Sequence, residues 1–247
     1  MACSAVATSL PPQCSGPKIV GWDWATAPGK NDAASGVRWN DGVALIGRWD
    51  GTKLTLTQPP ITPEDFRAEH SLPLDPGSTS TPCPEPAGGW VVVDRARTTQ
   101  ATMDKTIAAA QALASFGGLW LDQSINPAPS DPDADPAEIE AEMNNPEKLI
   151  LNVRVTADAP GVERVLRQTW GGMLCVSSGG RSEADLLQIQ QEIHAGNDAV
   201  TGSGVDSQKG QVQVEVFFDD GRLQRELDEK YGPGIVLVQS HLMPFPP

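Results

Sequence analysis

The sequence predicts an α+β protein. A small N-terminal antiparallel β-domain is followed by an α+β domain of two β-α-β repeats, with helices on one face of a sheet. Three observations carry this expectation. Segments 149–178 and 210–240 repeat: Val153, Val155, Asp158, Val162, Arg164, Leu166, Trp170 and Gly171 recur, always at the same interval, as Val214, Val216, Asp219, Leu223, Arg225, Leu227, Tyr231 and Gly232. Between the copies, Ser182-Glu183-Ala184-Asp185 is a capping box ahead of Leu186, Ile189 and Ile193, which share one helical face. Near the N-terminus, turn signals including Asn40-Asp41-Gly42 and Asp50-Gly51 separate short β-type runs.

The elements follow in order. Residues 1–58 hold Lys18–Trp24, Gly36–Trp39, Val43–Trp49 and Lys53–Thr57 as strands. They read as a meander, open or closed into a barrel, with a glycine-rich break after Trp24. Thr55 and Thr57 alternate with Leu54 and Leu56, the period of a half-buried strand. Residues 59–88 form a proline-rich connector without periodicity, since proline cannot donate to a ladder. From 89 to 247 a larger domain begins. Val91–Val93 is a short strand, and Thr99–Phe116 is a helix with Met103, Ile107, Ala110 and Ala114 on one face, ended by Gly117-Gly118. Leu119–Leu121 is a strand, and Asp135-Pro136-Ala137-Glu138 opens a short helix. Each repeat then reads strand, Asp-capped helix, glycine turn, strand: Leu149–Thr156, Pro160–Trp170 and Met173–Ser177, then Gln211–Phe218, Arg222–Tyr231 and Ile235–Gln239. Two such units joined by a helix imply one sheet.

Composition excludes several partners. The 247 residues carry 18 basic and 32 acidic side chains, a formal charge of −14. Nucleic acid and anionic membrane surfaces both need a positive face, so neither is expected. No apolar run approaches the roughly 20 residues that span a bilayer. Cys3, Cys14, Cys83 and Cys175 form no C-x-x-C pair, and His70, His194 and His241 are dispersed, so no zinc site is expected. An even cysteine count in an acidic, Pro- and Gly-rich chain fits two disulfides and an oxidising compartment. The expected pairing is Cys3–Cys14 across a short loop and Cys83–Cys175 between the connector and the first repeat's second strand. Met1-Ala2-Cys3-Ser4 has neither a basic n-region nor an apolar h-region. The chain therefore reads as a mature secreted or cell-envelope protein whose export signal is replaced by Met1.

Phe116-Gly117-Gly118-Leu119-Trp120-Leu121-Asp122-Gln123, with the repeats and the Ser182–Ile193 helix, resembles the propeptide domain of α-lytic and streptogrisin-type serine proteases. The likeness covers roughly residues 89–239. Such propeptides act as foldase and inhibitor of their protease, which implies a serine protease as partner. This chain continues to Pro247 with no protease domain. Ser9-Leu10-Pro11-Pro12-Gln13-Cys14 and Gly21-Trp22-Asp23-Trp24 resemble uncharacterised exported or lipid-anchored proteins of actinobacteria.

Candidate sites are few. Asp131, Asp133, Asp135 and Glu142 match positions of a calcium loop, yet Pro136 stands where that loop needs glycine, so no metal is expected. Trp22, Trp24, Trp39 and Trp49 could stack on a sugar or fill a small β-core, and the second use is the commoner one. Catalysis lacks a G-x-S-x-G elbow, a P-loop and a G-x-G-x-x-G run; Gly202-Ser203-Gly204 misses the later glycine, and Asp219-Asp220 read as helix caps. Leu242, Met243 and Phe245, set among prolines in the tail, either cover the protein's own sheet or bind a partner. The expectation is a non-catalytic interaction module without cofactor. A hydrolase with an unrecognised site and a carbohydrate-binding protein are the alternatives.

Overall fold

The computed structural model describes residues 1–3, 7–69, 80–126 and 135–244. Among them, six α-helices and eleven strands in four small sheets make an α+β fold. The chain divides into two compact units. One is Met1–Pro76 with Glu215–Asp220 and Ser240–Pro247; the other is Gly77–Val214 with Gly221–Gln239.

The first unit contains β1 (Lys18–Val20), β2 (Lys30–Ala34), β3 (Val37–Asp41), β4 (Gly47–Trp49), β5 (Lys53–Leu56) and α1 (Pro63–Glu69). β5 is central, antiparallel to β4 and parallel to β1. The order β1-β5-β4 departs from the consecutive pairing of a meander because the chain between β1 and β4 turns aside into its own hairpin, β2–β3. That hairpin reverses at Ser35-Gly36, both at positive φ (50° and 79°), as a two-residue turn matched to strand twist requires. β2 lies in what reads as a glycine-rich break, because Lys30-Asn31-Asp32 shows no apolar alternation. Amide bonds help secure it: Asn40 Nδ2 donates to Asn31 Oδ1 and to the Pro28 carbonyl. The β4–β5 turn is held by Asp50, whose carboxylate accepts from Lys53 N, Thr52 N and Thr52 Oγ1, bringing its pKa down to about 2. α1 corrects the reading of 59–88 as a connector without regular structure. Thr62 Oγ1 accepts from Asp65 N and donates to Asp65 Oδ2, but seven residues are too few for an apolar period to register. Asn40 and Asp41, expected in a turn, end β3, and Val43–Trp49 shortens to β4 plus a bridge between Ala44 and Ile61.

The second unit contains α2 (Gln100–Gln111), β6 (Phe116–Asp122), α3 (Pro136–Met143), β7 (Ile150–Val155), α4 (Ala159–Leu166), β8 (Met173–Ser178), α5 (Glu183–Gly196), β9 (Val200–Asp206), α6 (Arg222–Tyr231) and most of β10 (Gln211–Val216) and β11 (Val236–Ser240). β7 is buried along its whole length, antiparallel to β6 and parallel to β8. The parallel pairing follows from the crossover through α4, the first β-α-β unit. One face of this sheet, with Leu151, Val153, Val155, Leu174 and Val176, packs on Met103 and Ala110 of α2, on Ala159 and Leu166 of α4, and on Trp170. Each such aliphatic side chain contributes roughly 1.5–3 kcal/mol on burial. Trp170 is fully buried and satisfies its indole by donating to the Met173 carbonyl at 3.0 Å. Gly171 admits no side chain, because a Cβ there would collide with the Asp94 backbone.

The second repeat builds its own sheet, β11-β10-β9, so the single sheet expected from the repeats is divided in two. β9 lacks a strand signature because Gly202 and Gly204 interrupt it. It returns to β10 through a turn in which Asp206 Oδ1 accepts from Gln208 N and Lys209 N. Other local departures have plain causes. α4 is capped by Asp158, which accepts from Gly161 N, whereas α6 begins at Gly221 (φ 86°) with no side-chain cap. α2 stops at Gln111; Gly117 and Gly118 lie inside β6, where the register shifts. Val91–Val93 forms no strand: Val91 and Val93 are exposed, and Val93 N and Asp94 N both donate to the Gly171 carbonyl instead of a ladder.

The other face of β6-β7-β8 combines a small apolar cluster of Ile150, Met173 and Cys175 with two ionic groups. Arg154 is buried; its Nε donates to the Ser207 carbonyl at 3.1 Å, Nη1 to Gly179 at 3.3 Å and Nη2 to Gly117. Burial draws its pKa below the ordinary guanidinium value, opposed by the charges of Asp206 and Glu183. Asp122, 2% exposed, accepts from Thr81 N, Thr81 Oγ1 and Ser124 N. Burial alone would raise its pKa, yet these bonds outweigh it and hold Asp122 below the usual carboxylate value.

Arg154→Met leaves three main-chain carbonyls without their donor, that of Gly117 in a buried position, and is expected to cost about 3 kcal/mol or more in chemical denaturation, with Arg154→Lys intermediate. For Asp122 the folded pKa lies below the unfolded one. Its contribution is therefore present above roughly pH 4 and lost as pH falls through the folded value. Unfolding free energy measured from pH 7 to pH 2 is expected to fall more steeply in the native protein than in Asp122→Asn.

Candidate functional site

The second unit carries a groove of about 460 Å³ lined by Trp90, Val92, Ile125, Asn126, Glu142, Glu147, Lys148 and Met173. Each wall is positioned by local rules. Trp90 follows a turn at Gly88-Gly89, where Gly89 adopts φ 78° and donates to the Pro86 carbonyl. Ile125 and Asn126 leave β6 through the turn started by Asp122. Asn126 is buried and its Nδ2 donates to the Glu142 carbonyl at 2.9 Å, tying that turn to α3. Asn145 caps the short 3-10 turn Pro146–Lys148 by accepting from Glu147 N, and so presents Glu147 and Lys148.

Met173, the first residue of β8, forms the apolar floor with Ile150 and Cys175, against which Cys83 and Trp90 pack. The Cys83–Cys175 disulfide thus backs the groove directly. At the rim, Lys148 Nζ pairs with Glu142 Oε1, and Arg95 Nη2 lies 3.7 Å from Glu147 Oε2. Exposed pairs of this kind add little stability; they place a balanced set of charges around an apolar concavity.

The cysteines pair Cys3 with Cys14 and Cys83 with Cys175, the connectivity expected from the sequence. Trp22, Trp24, Trp39 and Trp49 are all half-buried in the first unit, neither sealed in a core nor laid out as an open platform. Trp22 and Trp24 meet edge-on, with centroids 5.2 Å apart, and the Arg38 guanidinium sits 5.0 Å over the Trp24 ring. That cation occupies a face on which a sugar would stack. Trp49 is the cross-strand partner of Leu54, which is buried.

In the tail, Leu242 is half-buried and its N–H donates to the Phe217 carbonyl, while Met243 is 61% exposed. Phe245, His70, Asp131 and Asp133 lie outside the described residues. Of the calcium-loop residues, Asp135 caps α3 and Glu142 belongs to the groove. His241 Nε2 lies 3.9 Å from Glu215 Oε2 and its ring beside Phe217. Among the described residues, no group of three His, Cys, Asp or Glu side chains could hold a metal.

Sequence reasoning missed the groove. Its residues come from four segments with no shared motif, and only the Cys83–Cys175 pairing, which draws Trp90 toward β8, could have pointed to it. No protein-family model and no curated protein matches the chain.

Replacing Cys83 and Cys175 together by serine opens a crosslink of sequence separation 92. The expected loss is about 4–5 kcal/mol in denaturant unfolding, with the Trp90 environment changed in the fluorescence of the folded variant.

Proposed function

We propose that this chain is a non-catalytic, secreted or cell-envelope interaction module whose second unit receives an apolar side chain of a partner protein. The groove carries this reading. Trp90, Val92, Ile125 and Met173 supply an apolar, largely preformed surface, and the disulfide behind it limits the ordering cost on binding. Its described lining offers no serine, histidine or free thiol, and its charged groups are engaged in ion pairs, which suits recognition better than acid–base chemistry. Two disulfides, and no described helix long and apolar enough to cross a membrane, are compatible with an extracellular setting. The resemblance of residues 89–239 to protease propeptides makes a chymotrypsin-like serine protease the first partner to try.

The test is a titration of the ¹⁵N-labelled full chain with such a protease, its active serine blocked. Perturbation is expected at Trp90, Ile125 and Met173, and Trp90→Ala is expected to weaken binding at least about tenfold, as loss of an aromatic anchor does. Binding that leaves the groove resonances unmoved, or that Trp90→Ala does not weaken, refutes the groove as the contact. If no protease binds at all, the protease partner is dropped.

A further inference from the structure

The face of β6-β7-β8 that carries Arg154 holds two unsatisfied polar atoms on residues paired across strands. By register, Trp120 of β6 pairs with Asn152 of β7, and Asn152 with Cys175 of β8. Side chains alternate along a strand, so Asn152 shares its face with Ile150 and Arg154. Asn152 is fully buried. Its Nδ2 donates to the Ile150 carbonyl at 3.1 Å, which fixes the amide orientation: flipped, two carbonyl oxygens would confront each other. Oδ1 is therefore the atom left over, and it is buried without a partner; so is Trp120 Nε1.

The two atoms are complementary. An indole N–H can only donate, and an amide oxygen can only accept. They sit at paired positions of adjacent strands, yet no bond joins them. The site is flanked by the row Asp122, Ile150, Met173 on one side and by the row containing Arg154 and Ser177 on the other. Buried polar atoms of native proteins find a partner, either protein or ordered water. We propose that this is an internal water site: one water molecule accepts from Trp120 Nε1–H and donates to Asn152 Oδ1. The water bridges the outer and central strands from within. It also accounts for an asparagine at the centre of Ile150-Leu151-Asn152-Val153, a strand otherwise apolar at that point.

Two measurements on the unmodified protein test this. A rotating-frame Overhauser experiment is expected to show a cross-peak between the Trp120 indole proton and a long-lived water. A high-resolution crystal structure is expected to place a water oxygen about 3 Å from both Nε1 and Oδ1. An indole proton with no water cross-peak, or a direct bond between Nε1 and Oδ1, overturns the proposal. Asn152→Leu removes the acceptor at similar volume, and in it the cross-peak should vanish and the indole proton should exchange faster. A folded Asn152→Leu variant that keeps the cross-peak and the native exchange rate overturns it as well.

Discussion

The guanidinium of Arg154 is the constraint on which the second unit depends. It emerges from the central strand β7 and reaches three main-chain carbonyls: Gly117 in β6, Gly179 just after β8, and Ser207 in the β9–β10 turn. One buried cation thereby joins one three-stranded sheet to the hairpin of the next. Burying an unpaired charge is expensive, and here the cost is offset by carbonyl dipoles and by the fields of Asp206 and Glu183. The surroundings are shaped to admit it. A Cβ at Gly180 or Gly210 would collide with the guanidinium, and both glycines adopt positive φ (72° and 65°). A lysine has one nitrogen and cannot reach three divergent acceptors at once.

The two units reach stability by different means. The second has a continuous apolar cluster spread over two helices, three strands and Trp170. Leu54 is the one buried hydrophobic residue of the small sheet β1-β5-β4. Local devices therefore matter more there: the Asp50 turn, the Asn31–Asn40 amide pair, the edge-on tryptophans and the Cys3–Cys14 crosslink. A small core supplemented by a disulfide is a recurrent solution in exported domains.

The fold was legible where physics is local and periodic. The 149–178 and 210–240 repeats, the Ser182 cap, the Leu186–Ile193 face and the α6 span Arg222–Tyr231 all show in the sequence because each rests on spacing or on one capping side chain. What escaped was set by distant contacts. Nothing near Gly117-Gly118 announces that Arg154 and Ser207 will draw these glycines into a strand instead of a helix cap. β2 rests on its ladder to β3, helped by the amides of Asn31 and Asn40, and not on apolar alternation. The groove was invisible for the same reason: Trp90, Ile125, Lys148 and Met173 are brought together by tertiary packing, and no residue type among them signals binding by itself.

The segment from Thr81 to Cys83 lies across one end of the β6-β7-β8 sheet like a strap. Thr81 is fastened to Asp122 on one outer strand and Cys83 to Cys175 on the other. The second fastening is covalent, and its ring encloses β6, β7 and the start of β8 up to Cys175. A protease that cuts the backbone once between Cys83 and Cys175 therefore releases nothing: the two pieces remain one molecule, with β6 and β8 still tethered through sulfur. Such a ring turns a single nick from a loss of mass into a scar, visible only after reduction.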